Sequence, residues 1–112
     1  MQTKEASASQ KTLHALGLCA KARKLIMGTP LVCEALRSER QRPYLVLTAS
    51  DNSPNTAKRL MDKTAYYHVP LVILDADGEL LAKAVGKNGR VATVAITDAN
   101  LCRLVEKTLK QN

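Results

Sequence analysis

The chain has no tryptophan, no phenylalanine and only three tyrosines, Tyr44, Tyr66 and Tyr67. A reader of single strands that works chiefly by stacking bases on rings needs more of them, so that class is set aside. Long apolar runs are missing too: the longest, residues 91–96 with Thr93 inside it, is far below the roughly 20 residues of a membrane-spanning helix. Cys19, Cys33 and Cys102 are odd in number and widely spaced, which suits neither a disulfide framework nor a zinc site. They read as small buried hydrophobes. The polar opening, residues 1–11, lacks the apolar segment of a secretory signal and reads as a flexible terminus on a cytoplasmic protein that does not touch membranes.

Positive charge is what the sequence has in excess, with 17 Lys and Arg against 10 Asp and Glu, a formal +7 over 112 residues. A hydrophobic fraction of 46% fills one core, so a single, monomeric domain over 12–110 is expected. Leu13, Leu16, Gly17 and Ala20 predict a helix over 12–23 by their i, i+3, i+4, i+7 spacing, stopping just before Lys24 or letting its ammonium snorkel past the end. A short apolar step at Leu25-Ile26-Met27 ends at Gly28, and Thr29-Pro30 then reads as a cap and first residue of a second helix to about Arg37.

Residues 44–49 form an apolar strand, and Ser53-Pro54 opens a third helix whose inward stripe is Ala57, Leu60, Met61, Thr64 and Ala65. A strand over 71–74, a helix over 79–85 behind an Asp77-Gly78 turn, a glycine-bearing loop over 86–90 and a strand over 91–97 follow. Asp98 caps a last helix with Leu101, Cys102, Val105 and Leu109 inward. Helices alternating with strands imply a three-layer α/β/α sandwich around a mixed sheet of about four strands.

No convergent set of titratable groups is present. His14 and His68 stand in no motif, and Asp75, Asp77 and Glu79 are accounted for by a turn and a helix cap. No catalytic residue, cofactor or metal site is therefore expected. The cations are unevenly placed: Lys11, Lys21, Arg23 and Lys24 occur with no acid between Glu5 and Glu34, and Lys83, Lys87 and Arg90 form a second island around the late glycines. Helix openings at Gly28-Thr29-Pro30 and Ser53-Pro54-Asn55, together with the 86–89 loop, offer backbone N–H groups that suit phosphates.

The segments Gly17-Leu18-Cys19-Ala20-Lys21-Ala22-Arg23-Lys24, Ser53-Pro54-Asn55-Thr56-Ala57-Lys58 and Tyr66-Tyr67 with Val69-Pro70 together resemble the YlxQ-like branch of the ribosomal L-seven-Ae and L-thirty-e family. The similarity runs from about Leu13 to Leu109. It implies an α/β/α sandwich that binds kink-turn RNA through the opening of the second helix, here Gly28, Thr29, Pro30 and Leu31, and through the loop before the last strand, here Lys87, Asn88, Arg90 and Val91. Pro30-Leu31 stand where the family usually has a polar pair, Glu34 where it has a lysine, and Ala82 where a glycine is common, which implies reduced kink-turn selectivity.

Lys21, Arg23, Lys24, Asn55, Lys58, Lys83, Lys87 and Arg90 complete the expected RNA contacts. The resulting reading is a non-catalytic, ribosome-associated protein whose partner is structured ribosomal or kink-turn RNA. Its alternatives are a module docking an acidic protein and an accessory domain of an RNA-modifying system.

Overall fold

The computed structural model describes the backbone of residues 3–6 and the whole of residues 10–109. In chain order the elements are β1 (Thr3–Ala6), α1 (Gln10–Lys21), β2 (Leu25–Met27), α2 (Thr29–Arg37), β3 (Leu45–Thr48), α3 (Pro54–Tyr66), β4 (Leu71–Leu74), α4 (Gly78–Ala84), β5 (Thr93–Ile96) and α5 (Ala99–Leu109). They form one mixed sheet in the order β1-β4-β3-β5-β2, with β1, β4 and β3 parallel and β5 antiparallel to both β3 and β2.

The expected sandwich is present with one strand more than the four foreseen. The addition lies inside the opening stretch expected to be flexible: Thr3–Ala6 pairs with Leu71–Leu74 at one edge of the sheet. A polar tetrapeptide gives no apolar alternation, and this strand is defined by main-chain pairing with a distant partner.

Alternation along the central strands divides the core in two. Leu45, Leu47, Val94 and Ile96 face one layer made of α1, α4 and α5, while Val46 and Ala95 face the other, made of α2 and α3. The stripe of α1 is turned from the expected one: Thr12, Ala15, Leu16 and Cys19 are buried, and Leu13, Gly17 and Ala20 lie at its flank. Thr12 can sit inside because its hydroxyl donates to Thr108 at 2.8 Å. On α3, Leu60 and Thr64 are buried, whereas Met61, expected in the core, is 37% exposed and Ala65 is exposed as well. The layer takes only a narrow face of this helix, so the residue beside Leu60 is left outside.

Cys19 and Cys102 are buried and Cys33 is half-buried, all three as free thiols. Burial pushes the Cys102 thiol up to about 11, with Glu106 and Cys19 adding to the effect, and raises that of Cys19. Cys19 and Cys102 are packing groups held neutral.

The expected caps are met at three helices: Ser53 accepts from the Thr56 N–H at 3.2 Å, Asp77 from Leu80 at 2.8 Å and Asp98 from Leu101 at 2.9 Å. At α2 the cap is Gly28, not Thr29. Its φ of 104° lies where a side chain is disfavoured, and the Thr29 hydroxyl is turned inward to Thr93 at 2.8 Å.

Candidate nucleic-acid interface

The ends of the strands place three helix openings along one margin of the sheet. β2, β3 and β4 all finish there, and α2, α3 and α4 start from it. The Gly28 N–H donates to the Thr93 carbonyl at 2.8 Å, so the start of α2 is tied to the start of β5. A chain of hydroxyls continues inward from it, from Thr29 to Thr93 and from Thr93 to Thr48 at 3.2 Å. Thr48 donates to the Ala92 carbonyl at 2.9 Å and accepts from the Asn52 amide. Asn52 in turn accepts from Arg90 at 3.2 Å, and Arg90 is ion-paired with Asp51. Asp51 also accepts from the Gly78 N–H at 3.0 Å. One polar network thus fixes the openings of α2 and α4 and the loop after β3 relative to one another.

The Arg90 hydrogen bond holds the Asp51 carboxyl below the usual carboxylate range. Arg90 is therefore engaged within the chain, although the sequence suggested a phosphate partner. Its side chain also crosses over Gly78, where an added Cβ would fall 2.5 Å from it.

The opening helix and the late glycine loop meet around a cavity of about 510 Å³ lined by Gly17, Ala20, Lys21, Met27, Lys83 and residues 84–87. Gly17 makes the approach possible: a Cβ there would stand 2.8 Å from the Ala84 carbonyl oxygen. Met27 and Lys87 also line a second cavity of about 520 Å³, which reaches the opening turn of α2 through Leu31 and includes Glu34 and Gln41. Leu31 is 57% exposed on its lip.

The other residues singled out in the sequence fall into three groups. Lys83, Lys87, Asn88 and Arg90 are exposed on the loop side, and Val91 is half-buried with its N–H on the Gly78 carbonyl at 3.0 Å. Asn55 and Lys58 lie on the outer side of α3, where Lys58 pairs with Asp62 at 3.0 Å, both largely exposed. Such an i,i+4 pair is worth a few tenths of a kcal/mol, about 0.3–0.5, and leaves the lysine free to exchange partners.

Arg23 and Lys24 are exposed but stand elsewhere. Helix α1 ends before Lys24, as one of the two expected arrangements had it, and Lys24 accepts from the Thr97 N–H at 3.0 Å, at the far end of β2 from Gly28. Arg23 has a φ of 61° and closes α1 in a Schellman turn, its N–H on Ala20 and that of Lys24 on Cys19. Among the described residues no group of His, Cys, Asp and Glu could hold a metal ion, and no helix is long and apolar enough to cross a membrane.

Residues 10–105 match the model of the ribosomal protein L7Ae/L30e/S12e/Gadd45 family. The chain belongs to this family. It is 42% identical over 83 residues to the RNA-binding protein YlxQ of Bacillus subtilis strain 168, covering 74% of this chain and 79% of that one. With the RNA-binding protein YlxQ of Enterococcus faecium it shares 37% over 82 residues, 73% of this chain and 77% of the relative.

Among solved structures, a protein of unknown function from Bacillus halodurans C superposes with a TM-score of 0.80 at 31% identity, over 91% of this chain and 99% of that one. The Giardia lamblia 15.5kD RNA binding protein superposes with a TM-score of 0.75 over 90% of this chain and 83% of that one. At 17% identity the second likeness concerns the fold.

Proposed function

We propose that this family member is a non-catalytic RNA-binding protein that grips structured, kink-turn-like RNA between the opening of α2 and the Lys83–Lys87 segment. Its place is in the cytoplasm, in association with ribosomal RNA. The observation that carries the reading is the shared wall of Met27 and Lys87 between two cavities, one bearing Lys21 and Lys83 and the other the first turn of α2. A sharply bent RNA brings phosphates close together, and three ammonium groups around one hollow suit that crowding. The relatives named as RNA-binding proteins support the same reading.

The chemistry at α2 favours shape over base identity. The Gly28 N–H is already bonded and proline has no N–H, so the opening offers the N–H groups of Thr29 and Leu31. The apolar Leu31 side chain adds no hydrogen bond to a base edge. Phosphate contacts then supply most of the affinity.

The test is a titration of labelled kink-turn RNA, a straight duplex of equal length and an acidic peptide at several salt concentrations. Kinked RNA should bind more tightly than the duplex. Three to five phosphate contacts should give a log–log salt slope of about −2.7 to −4.5. Equal affinity for kinked and straight RNA would remove the kink-turn assignment, and binding of the peptide alone would replace RNA with a protein partner.

A further inference from the structure

A third cavity, of about 470 Å³, opens at the other end of the sheet and is lined by Ile26, Arg40, Gln41, Arg42, Tyr44 and Thr97. Ile26 and Gln41 are shared with the cavity beside α2, which itself shares Met27 and Lys87 with the cavity at Lys21. The three hollows therefore form one track along the edge strand β2. It begins among Lys21, Lys83 and Lys87 and ends at two arginines and a half-exposed ring.

The far end has the parts of a nucleotide site. Tyr44 is 52% exposed, and its position rests on the main chain, whose N–H donates to the Ile96 carbonyl at 2.9 Å. Arg42 lies over the Tyr67 ring at 4.7 Å and donates its Nε to the Leu36 carbonyl at 2.8 Å, so the guanidinium is oriented before any ligand arrives. Arg40 is exposed beside it. Lys24, which accepts from Thr97, brings the Arg23-Lys24 pair to the same end. The left-handed backbone of Arg23 there is the one that closes α1 and sets where the pair leaves the helix.

No acid lines this cavity, and the whole track carries one, Glu34, in its middle section. A ring face for a base next to fixed cations for phosphates is the combination that holds single-stranded nucleic acid.

A peptide strand added to β2 is the other occupant such an edge could take. The bonds of Lys24 with Thr97 and of Gly28 with Thr93 turn only Leu25 and Met27 outward for main-chain pairing, which is a short ladder.

We infer that a single-stranded extension of the bound RNA runs along β2, stacks a base on Tyr44 and sets its phosphates against Arg40 and Arg42. The inference rests on the RNA-binding reading above and adds a second anchor at the opposite end of the sheet.

The experiment compares a blunt kink-turn RNA with the same RNA carrying a 5′ or a 3′ extension of about six uridines, within the site sizes of single-strand binders. It uses the wild-type chain, Tyr44→Ala, Tyr44→Phe and Arg40→Gln. One extension should tighten wild-type binding about tenfold. Tyr44→Ala and Arg40→Gln should lose that gain, Tyr44→Phe should keep it, and all should bind blunt RNA like the wild type.

Blunt RNA bound with no gain from either extension overturns this inference alone. Failure to bind both RNAs overturns it together with the reading above. A gain that survives Tyr44→Ala, or a glutamate-rich peptide that displaces the extension, overturns it in favour of another path or of a protein occupant.

Discussion

Arg90 shows how one side chain can serve a surface without reaching into it. Its guanidinium is paired with Asp51 and bonded to Asn52, and through Thr48 and Thr93 the same network reaches Thr29 at the α2 opening. The Asp51 carboxyl has a pKa below its ordinary value because Arg90 hydrogen-bonds its charged form. A lowered folded-state pKa stabilises the native chain fully above the unfolded value of about 4, and this share is lost as the pH falls through the lower folded value. Asp51→Asn should therefore melt below the wild type at pH 7, with the gap closing as the pH is taken below about 4. Thermal melts across that range decide it, and a gap that does not vary with pH would refute the role of the charge.

At the scale of the elements, the crossing of α1 over α4 sets the width of the basic hollow. Gly→Ala inside a helix ordinarily gains about 1 kcal/mol. At Gly17 the new methyl would stand 2.8 Å from the main-chain oxygen of Ala84, and overpacking of this kind costs about 1–3 kcal/mol. The steric cost should win, so Gly17→Ala should lower the melting temperature and weaken RNA binding, because α4 carries Lys83 and leads into Lys87. A variant that melts higher than the wild type would show that α4 can yield.

Elements were legible in the sequence wherever their signals are local. Ser53, Asp77 and Asp98 mark helix starts because each cap contact spans three residues. The phase of α1 was not, because a stripe of small residues fits two neighbouring rotations and Thr12 enters the core through Thr108, 96 positions away. Met61 misled for the same reason: whether the neighbour of a buried leucine is covered depends on the layer above it. Thr29 looked like a cap because its inward partner, Thr93, is distant in sequence.

For the whole molecule, the two charge islands of the sequence meet in part: Lys21, Lys83 and Lys87 line one hollow. Lys24 and Arg23 could not be assigned that way, since which end of β2 they occupy is set by its pairing with β5. The strand at Thr3–Ala6 was likewise hidden in a polar segment.

The scarcity of rings has a last outcome. Tyr44 and the Tyr66–Tyr67 pair gather at one end of the sheet, Tyr66 being 76% exposed, and neither core cluster has an aromatic among its buried members, Tyr67 packing only against the edge of one. Near-ultraviolet emission from this protein therefore originates wholly at that end. Extended RNA should quench it while blunt RNA leaves it nearly unchanged, and equal quenching by both would contradict a base on Tyr44. Tyr67, packed against the core with Arg42 over its ring, should report unfolding, while the half-exposed Tyr44 reports the RNA, so one end of the sheet carries an optical gauge of both.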